Sequence, residues 1–309
     1  MKRIGVTGGA GFIGSNLLRT LSLEENEVIV VDDLTTGLQE NLEGLNLKFI
    51  QGSITNKTLL DKVFANADVI VHLAARGSVP RSIEDPVATH DVNVKGTLNV
   101  LETCRQNNSH LIFTSSSSVY GSNIDLPKIE KMWMRPLSPY AASKLSGESF
   151  VHSYISAYGL RSTALRLFNV FGPLQRPDHE YAAVLPKWIW KAINGEEIEL
   201  HGDGSQTRDF TYVKNVCEVI DFAIFNNIYD NDFTNLAFGN NISLLQVIEL
   251  LRSDFPELRV KKLENRLGDV RDSQNDPSKL MSLFPNIQPT SFEQGFKETV
   301  AWLKGKLRN

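Results

Sequence analysis

A serine, a tyrosine and a lysine in the middle of the chain have the side chains needed to remove a proton from an alcohol. Tyr140 and Lys144 are four residues apart, so on a helix both lie on one face. A nearby ammonium and the N-terminal dipole of a helix that begins at Pro139 lower the pKa of a phenol, which makes it a base near neutral pH. Ser116 ends a predicted strand, where its hydroxyl can hydrogen-bond a substrate oxygen and relay the proton. We therefore predict that Ser116, Tyr140 and Lys144 are catalytic.

Three glycines near the N-terminus have the spacing of a turn that binds phosphates. Gly8, Gly11 and Gly14 follow a predicted strand and open a predicted helix. Glycine permits a tight turn, a close approach to a pyrophosphate and close packing of the helix, whose N-terminus offers unpaired N–H groups. Asp32 ends the second predicted strand, where a carboxylate can accept both ribose hydroxyls of adenosine. The pattern predicts a dinucleotide site.

The carboxylate of Asp32 favours NAD over NADP, because it repels a 2′-phosphate. Arg76 or Lys48 would weaken this argument, and a helix or turn cap is the alternative role for Asp32. We predict that NAD is the cofactor and that it binds beside the tyrosine base.

Short apolar strands alternate with helices along the first half of the chain, a rhythm that predicts a parallel sheet. Because the strands are apolar on both faces, helices should cover both sides, and ligands should bind at the carboxyl ends of the strands. We predict an α/β fold: a doubly wound parallel (Rossmann) sheet with a smaller C-terminal α/β substrate-binding part. The predicted strands are 4–7, 28–31, 48–51, 69–73 and 111–115, and the predicted helices are 12–23, 57–64, 86–105 and 140–158.

The strand and helix rhythm loosens after residue 167, where prolines and shorter elements follow. We predict a cofactor-binding domain over 1–167, to which 208–236 returns, and a substrate-binding region over 168–309.

The overall composition disfavours several classes of partner and site. The formal net charge of -4 argues against a nucleic acid or an anionic membrane, because no broad positive field attracts them. Cys104 and Cys217 are the only cysteines and no spacing suits a metal, so we predict neither a disulfide framework nor a metal site. No apolar run reaches the roughly 18 residues of a membrane span, and no signal peptide precedes the first strand. We predict a cytoplasmic protein.

Motifs along nearly the whole chain resemble those of the extended short-chain dehydrogenases/reductases, and within them the nucleotide-sugar 4-epimerases. The resemblance implies a triad of Ser116, Tyr140 and Lys144, a tightly retained NAD+ and a UDP-sugar substrate. The segments that carry it are 6–15, 71–75, Asn93, 115–121, Tyr140 with Lys144, 166–172, 208–210, Arg266 and 268–269.

The same resemblance implies two sets of binding residues. The expected NAD contacts are Gly8, Gly11, Phe12, Ile13, Gly14, Asp32, Ser53, Ile54, Leu73, Ala74, Ala75, Asn93, Tyr140 and Lys144. The expected UDP-sugar contacts are Ser78, Val79, Arg81, Ser116, Ser117, Asn169, Arg208, Arg266, Asp269 and Ser273. Arg208 and Arg266 would meet the pyrophosphate, Asn169 the phosphates or the sugar, and Asp269 the uridine ribose.

One position departs from the family pattern and one loop matches a subgroup. An Asp that contacts adenine commonly follows the glycine after the third strand, whereas Ser53 follows Gly52 here, which weakens or reorganises that contact. Residues 77–82 resemble the corresponding loop of epimerases that accept N-acetylated hexosamines.

Two serines separate the reactions found on this scaffold. Dehydratases of the superfamily place an Asp-Glu pair where this chain has Ser117 and Ser118, and UDP-glucuronate decarboxylases tend to carry a Glu at the second position. Serine cannot replace these carboxylates as acid or base, so both reactions are disfavoured. Redox-neutral 4-epimerisation needs only the triad and NAD+, which makes it our predicted function.

The identity of the sugar depends on a position that limits the room around its C2 substituent. Ser273 is small, so the resemblance favours UDP-GlcNAc/UDP-GalNAc, with UDP-Glc/UDP-Gal as additional substrates. Arg81 can instead meet a carboxylate, which keeps a UDP-glucuronate 4-epimerase open. A net NAD(P)H-dependent keto-sugar reductase would use the same tyrosine and lysine, and a non-catalytic NAD-binding module is the third class.

The predicted helices over 86–105 and 140–158 carry apolar residues on more than one face, which predicts a second partner surface. In this superfamily such a pair builds a four-helix interface, so we expect a homodimer.

Overall fold

The alternating apolar segments form one parallel sheet, which confirms the predicted doubly wound α/β fold. The computed structural model describes residues 1–178, 182–264 and 272–306. The strands are β1 (Arg3–Thr7), β2 (Glu27–Asp32), β3 (Lys48–Gln51), β4 (Val69–His72), β5 (His110–Ser116), β6 (Ser162–Leu167), β7 (Val170–Phe171), β8 (Ile198–His201), β9 (Thr207–Arg208), β10 (Thr211–Tyr212), β11 (Phe233–Leu236), β12 (Ile242–Ser243) and β13 (Val260–Leu263). Seven of them form the main sheet in the order β11-β6-β5-β4-β1-β2-β3, with every pair parallel.

Helices cover both faces of this sheet because successive residues of each strand point to opposite sides. The helices are α1 (Phe12–Thr20), α2 (Lys57–Val63), α3 (Val79–Glu84), α4 (Pro86–His90), α5 (Thr97–Asn107), α6 (Pro139–Tyr158), α7 (Val184–Ile193), α8 (Val213–Asn226), α9 (Leu244–Asp254), α10 (Ser278–Leu283) and α11 (Phe292–Lys306). Val28 and Val30 of β2 pack into a core with α1 and α8, whereas Ile29 and Val31 pack into a second core with α2, α5 and α6. The strands therefore have two buried faces.

The helix predicted over 86–105 is present, but it is not α-helical throughout. Between α4 and α5, residues Asp91–Gly96 form a π-helical turn. The wider turn directs the side chain of Asn93 toward Arg76 and Ser143, to which it is hydrogen-bonded. The apolar spacing does not reveal the turn, because the helical backbone continues through it.

The chain after β6 forms three two-stranded sheets, in which β7 pairs with β10, β9 with β12, and β8 with β13. α8 packs against α1, and β11 joins the main sheet beside β6. The domain boundaries given above stay a prediction.

No helix within residues 1–178, 182–264 and 272–306 has the length and apolarity needed to cross a membrane. The same residues include no cluster of His, Cys, Asp or Glu arranged to hold a metal ion. Cys104 and Cys217 are both buried free thiols.

Candidate active site

The candidate site lies at the carboxyl ends of the central strands. Thr7 ends β1, Asp32 ends β2, His72 ends β4 and Ser116 ends β5. Because these strands are parallel neighbours, their ends lie at one edge of the sheet. The turns that follow them come together there.

The glycine turn after β1 is too crowded for side chains. Gly8 has a φ of 73°, and a Cβ on it would lie 2.6 Å from the backbone nitrogen of Ala74. A Cβ on Gly14 would lie 2.3 Å from the carbonyl oxygen of Gly8. The helix that follows has no side-chain cap at Gly11 and no acidic residue in its first turn. Its N–H groups and dipole therefore fit an anion such as the pyrophosphate of NAD.

Asp32 caps the turns beside it, and its contact with a ribose stays a proposal. One oxygen accepts the backbone N–H of Ala10 at 3.0 Å and the other accepts that of Leu34 at 2.9 Å, so the carboxylate caps local turns. Burial raises its pKa, and these two hydrogen bonds oppose the rise. Each carboxylate oxygen has a second acceptor position, which is what a ribose diol requires.

The turn after β3 is organised by its own hydroxyls. Ser53 Oγ lies 3.0 Å from Thr55 Oγ1 and accepts the backbone N–H of Thr55. Ile54 is buried, and a Cβ on Gly96 would lie 2.5 Å from its Cδ1. Ser53 therefore shapes the turn at the position where the resemblance leads us to expect an Asp.

His72 is a buried member of a hydrogen-bonded chain that crosses the sheet edge. Its Nδ1 lies 2.8 Å from Thr7 Oγ1, and its Nε2 lies 3.0 Å from Thr97 Oγ1, which itself donates to the carbonyl of Asn93. Thr97 therefore accepts from Nε2–H, and Thr7 donates to Nδ1. Burial and the charge of Lys144 lower the pKa of His72 to about 3, so the ring is neutral.

The side chain of Asn93 is held by other protein groups. It accepts the N–H of Arg76 at 2.7 Å, and its amide donates to Ser143 Oγ at 2.9 Å. Ser143 in turn donates to the carbonyl of Tyr140. Asn93 thus joins the loop of Leu73, Ala74 and Ala75 to the helix of the tyrosine, and any contact of its side chain with NAD stays a proposal.

Tyr140 lies in the first turn of α6. Pro139 precedes it, and Ser138 caps the helix by accepting the N–H of Ala141. The N–H of Tyr140 itself donates to Ser82 Oγ at 3.0 Å, so α3 anchors the tyrosine backbone. Burial raises the pKa of the phenol above its usual value, opposite to the predicted decrease, and a hydrogen bond with Ser116 opposes the rise.

Lys144 follows one helical turn later and is buried. Its Nζ donates to the carbonyl of Thr114 at 2.9 Å, which directs the ammonium toward the end of β5. Burial lowers its pKa to about 8, and the carboxylate of Glu148 opposes this change. A cation is therefore held on the same helix face as Tyr140.

The serine run continues from β5 into a short 3₁₀ turn, Ser117–Tyr120. Ser116 is extended at the strand end, and its Oγ accepts the backbone N–H of Ser118 at 3.2 Å. Ser116, Ser117 and Ser118 are all half-buried. The structure thus brings Ser116 and Tyr140 together, as their chemistry requires.

Three of the proposed substrate residues lie on or beside α3. Ser78 has a φ of 105° and caps the helix by accepting the N–H of Arg81. Val79 is exposed and Arg81 is half-buried. Because Ser82 on this helix accepts the N–H of Tyr140, residues 78–82 lie next to the start of α6.

The remaining described substrate residues meet around the buried Asp209. Asn169 donates to the carbonyl of Asp209, which follows Arg208 in the chain. The N–H of Ser273 donates to the carbonyl of Thr207, also beside Arg208. The Asp209 carboxylate accepts backbone N–H groups from residues 239, 240 and 275, which holds three segments together. Arg266 and Asp269 lie outside the described residues.

The sequence analysis gave no supporting role to four residues of this site, although Ser82, Arg166 and Asp209 lie in segments that carry the resemblance. Ser82, Glu148, Arg166 and Asp209 are buried polar side chains whose partners lie far along the chain. The signal in the sequence was a charged residue inside an apolar strand, and it concerns only Arg166 in β6.

Comparisons with known proteins agree with this geometry. A model of the NAD dependent epimerase/dehydratase family matches residues 4–237. The chain is 35% identical to a putative UDP-glucose 4-epimerase of Methanocaldococcus jannaschii over 98% of this chain and 99% of that protein. It is 34% identical to a UDP-glucuronate 4-epimerase of Thermodesulfobacterium geofontis, over 97% of this chain and 95% of that protein.

A solved structure is similar over the same length. The UDP-N-acetylglucosamine 4-epimerase of Methanobrevibacter ruminantium, in complex with UDP-N-acetylmuramic acid, superposes with a TM-score of 0.93 at 36% identity, covering 99% of each chain. Decarboxylases and dehydratases of nucleotide sugars are among the further matches.

Proposed function

Because the chain belongs to the NAD-dependent epimerase/dehydratase family, we propose that it catalyses the redox-neutral 4-epimerisation of a UDP-hexose. The observation that carries the proposal is the grouping of Ser116, Tyr140 and Lys144 with serines, not carboxylates, at positions 117 and 118. This site has a base for one hydroxyl and lacks the additional acid and base of its dehydratase relatives.

Each residue of the triad has one task. Tyr140 accepts the proton of the sugar 4′-hydroxyl and returns it after the sugar has turned. Ser116 donates a hydrogen bond at the same oxygen, and the Lys144 ammonium stabilises the phenolate. Bound NAD+ supplies the acceptor, and then the donor, of the C4′ hydride.

The rest of the site holds the nucleotide while the sugar turns. We propose that Arg208 and Arg266 bind the pyrophosphate, Asn169 the phosphates or the sugar, and Asp269 the uridine ribose. Anchoring these groups keeps the 4-keto sugar close to the base through its rotation, so binding energy serves positioning. The network around Asp209 supports this role, because it holds the segments of Arg208 and Asn169 together.

We propose UDP-GlcNAc and UDP-GalNAc as the preferred substrates, with UDP-Glc and UDP-Gal also accepted. The small side chain of Ser273 supports this choice, since it leaves room for an N-acetyl group. UDP-glucuronate is the second candidate, favoured by Arg81 in the substrate loop and by the relative of that name.

We also propose a homodimer formed by the α4–α5 segment and α6. Val87 is 69% exposed, and Leu98, Phe150 and Ile155 are only half-buried in the single chain. A second copy would cover these side chains in a four-helix arrangement. A cytoplasmic location stays a prediction from the composition.

A proton NMR time course tests the activity. The purified protein is given UDP-GlcNAc, UDP-Glc and UDP-glucuronate in turn, without added cofactor and then with NAD+. We expect the C4′ epimer of UDP-GlcNAc to appear without net NADH. Stoichiometric consumption of NAD(P)H with a keto-sugar would identify a reductase instead, and no epimer from any of the three sugars would reject the proposal.

A further inference from the structure

The hydrogen bonds of the Ser116 side chain leave its hydroxyl able only to donate. Its oxygen accepts the backbone N–H of Ser118 at 3.2 Å and the Ser118 hydroxyl at 2.9 Å. A serine oxygen has two lone pairs and one hydrogen. Both lone pairs are therefore occupied from within the same turn, and the hydrogen remains to be donated.

Without substrate, the neighbouring acceptor for that hydrogen is the oxygen of Tyr140, and with a sugar bound it is the 4′ oxygen. Because both lone pairs of Ser116 are occupied, Ser116 is the donor in its hydrogen bond with Tyr140, and this bond opposes the rise in the Tyr140 pKa that burial causes. If Ser118 had no hydroxyl, the vacated lone pair of Ser116 would be able to accept the Tyr140 O–H, and this would favour the neutral phenol instead. The Ser118 hydroxyl thus sets the direction of the hydrogen bond between Ser116 and Tyr140.

We propose that Ser118 is a positioning residue that commits Ser116 to donating, so that the substrate proton passes directly to Tyr140 and not through Ser116. The inference rests on the proposed epimerase function. In the step concerned, the 4′ O–H bond breaks and the proton bonds to the phenolate oxygen of Tyr140, which becomes a neutral phenol. A relay would need Ser116 to accept this proton, and it has no lone pair for it.

The role belongs to the hydroxyl of Ser118 and not to its backbone. The Ser116 side chain caps the 3₁₀ turn by accepting the N–H of Ser118, which every variant except proline retains. A change of side chain therefore removes one hydrogen bond of Ser116 and keeps the other. This separates the positioning role from the local fold.

Steady-state kinetics of Ser118→Ala and Ser118→Thr test the proposal. In Ser118→Ala we expect kcat to fall about fivefold with KM unchanged, as for the loss of one hydrogen bond. Ser118→Thr keeps a hydroxyl and restores kcat. Ser146→Ala is the matched control, because this α6 hydroxyl bonds only to the carbonyl of Ala142 in its own helix. An unchanged kcat in Ser118→Ala, or no rescue by threonine, overturns the proposal.

The path of the proton has its own test. The wild-type rate is measured in mixtures of H2O and D2O, in which a single transferred proton gives a linear decrease with deuterium content. A bowed dependence would show two protons moving together and would overturn the direct path.

A titration that needs no turnover distinguishes failure of this inference from failure of the proposed function. Tyrosinate absorbance is followed against pH, and the signal of the matching Tyr140→Phe protein is subtracted. We expect the Tyr140 midpoint to rise by roughly half to one pH unit in Ser118→Ala. An identical midpoint rejects the role of Ser118, whether or not any UDP-sugar is converted. Charged or titratable groups on α6 and its neighbours include Lys144 and Glu148, Arg166, which binds Glu148, and His72, whose pKa responds to Lys144. The helix α3, which packs on α6, carries Arg81 and Glu84.

Discussion

Arg166 hydrogen-bonds both carboxylate oxygens of Glu148, from Nε at 2.9 Å and from Nη2 at 2.8 Å, with both side chains almost wholly buried. Ser115 donates to the same carboxylate, and the other Arg166 nitrogen donates to the hydroxyl of Tyr120. The pair therefore joins α6 to β5 and β6, one helical turn beyond Lys144. Neither charge has access to water, so each depends on the other.

Removing one partner of this pair is expected to destabilise the fold strongly. Glu148→Gln leaves the Arg166 guanidinium buried without its counter-charge, and breaking such a pair costs about 3–5 kcal/mol of unfolding free energy. Denaturant titration measures the loss. Glu27→Gln is the matched control, because the Arg3–Glu27 pair is partly exposed and should matter by less than about 1 kcal/mol. Equal stability of the two variants would contradict the importance assigned to the buried pair.

Loss of the Tyr140 hydroxyl is expected to stop turnover while leaving substrate bound. Tyr140→Phe removes the base, and general base catalysis is worth about 10²–10⁴-fold in rate. Calorimetry should find the affinity for the UDP-sugar largely unchanged, since the proposed nucleotide contacts involve other residues. Tyr158→Phe, at the exposed end of the same helix, should keep full activity. A parallel loss of affinity and rate in Tyr140→Phe would argue against its role as the base.

Enlarging residue 273 is expected to change the choice of sugar. Ser273 is held through its backbone N–H, so a larger side chain leaves the contact with Thr207 intact. Ser273→Tyr should lower kcat/KM for UDP-GlcNAc by roughly 10–100-fold relative to UDP-Glc, the range that one steric group can reach. Ser273→Ala should keep the wild-type ratio. If Ser273→Tyr also keeps the wild-type ratio of kcat/KM values, residue 273 does not limit the space around the C2 substituent of the sugar.

Two buried histidines are expected to make the fold sensitive to acid. Burial is the main cause that lowers the pKa of His72 and of His110 to about 3, from a usual value of 6.5. Between pH 6.5 and pH 3 the unfolded chain binds more protons than the native one, so stability falls as the pH falls through this window.

Replacing one of these histidines tests whether it makes the protein less stable as the pH falls. Each contributes a slope of up to about 1.4 kcal/mol per pH unit, so His110→Gln should flatten the dependence of the unfolding free energy on pH by that amount. The exposed His152 provides the control variant, His152→Gln, which retains both buried rings. An unaltered slope in His110→Gln would mean that this ring is protonated in the native state.

The sequence predicted those features that depend on residues close together in the chain. The glycine turn, Asp32 at a strand end, and Tyr140 with Lys144 on one helix turn all have local signatures, and the alternation of apolar segments predicted the sheet. The structure agrees with each of these placements because backbone geometry alone determines them.

The supporting residues were beyond prediction because their partners meet only in the folded chain. Ser82 and Tyr140 are 58 residues apart, and Asp209 reaches Asn275 across 66. No spacing rule connects positions so distant. The π turn at Asn93 escaped prediction for a different reason, since it changes the direction of side chains without interrupting the helix.

The hydrogen bond from the Tyr140 backbone to Ser82 has a consequence for protein engineering. The loop that carries Ser78 and Arg81 is an obvious segment to exchange with a relative in order to alter sugar preference. Such a chimera would also replace the support on which the catalytic helix begins. A donor loop should therefore bring a hydrogen-bond acceptor to position 82, because a loop without one would leave the Tyr140 N–H unpaired and weaken the start of α6 whatever sugar it fits.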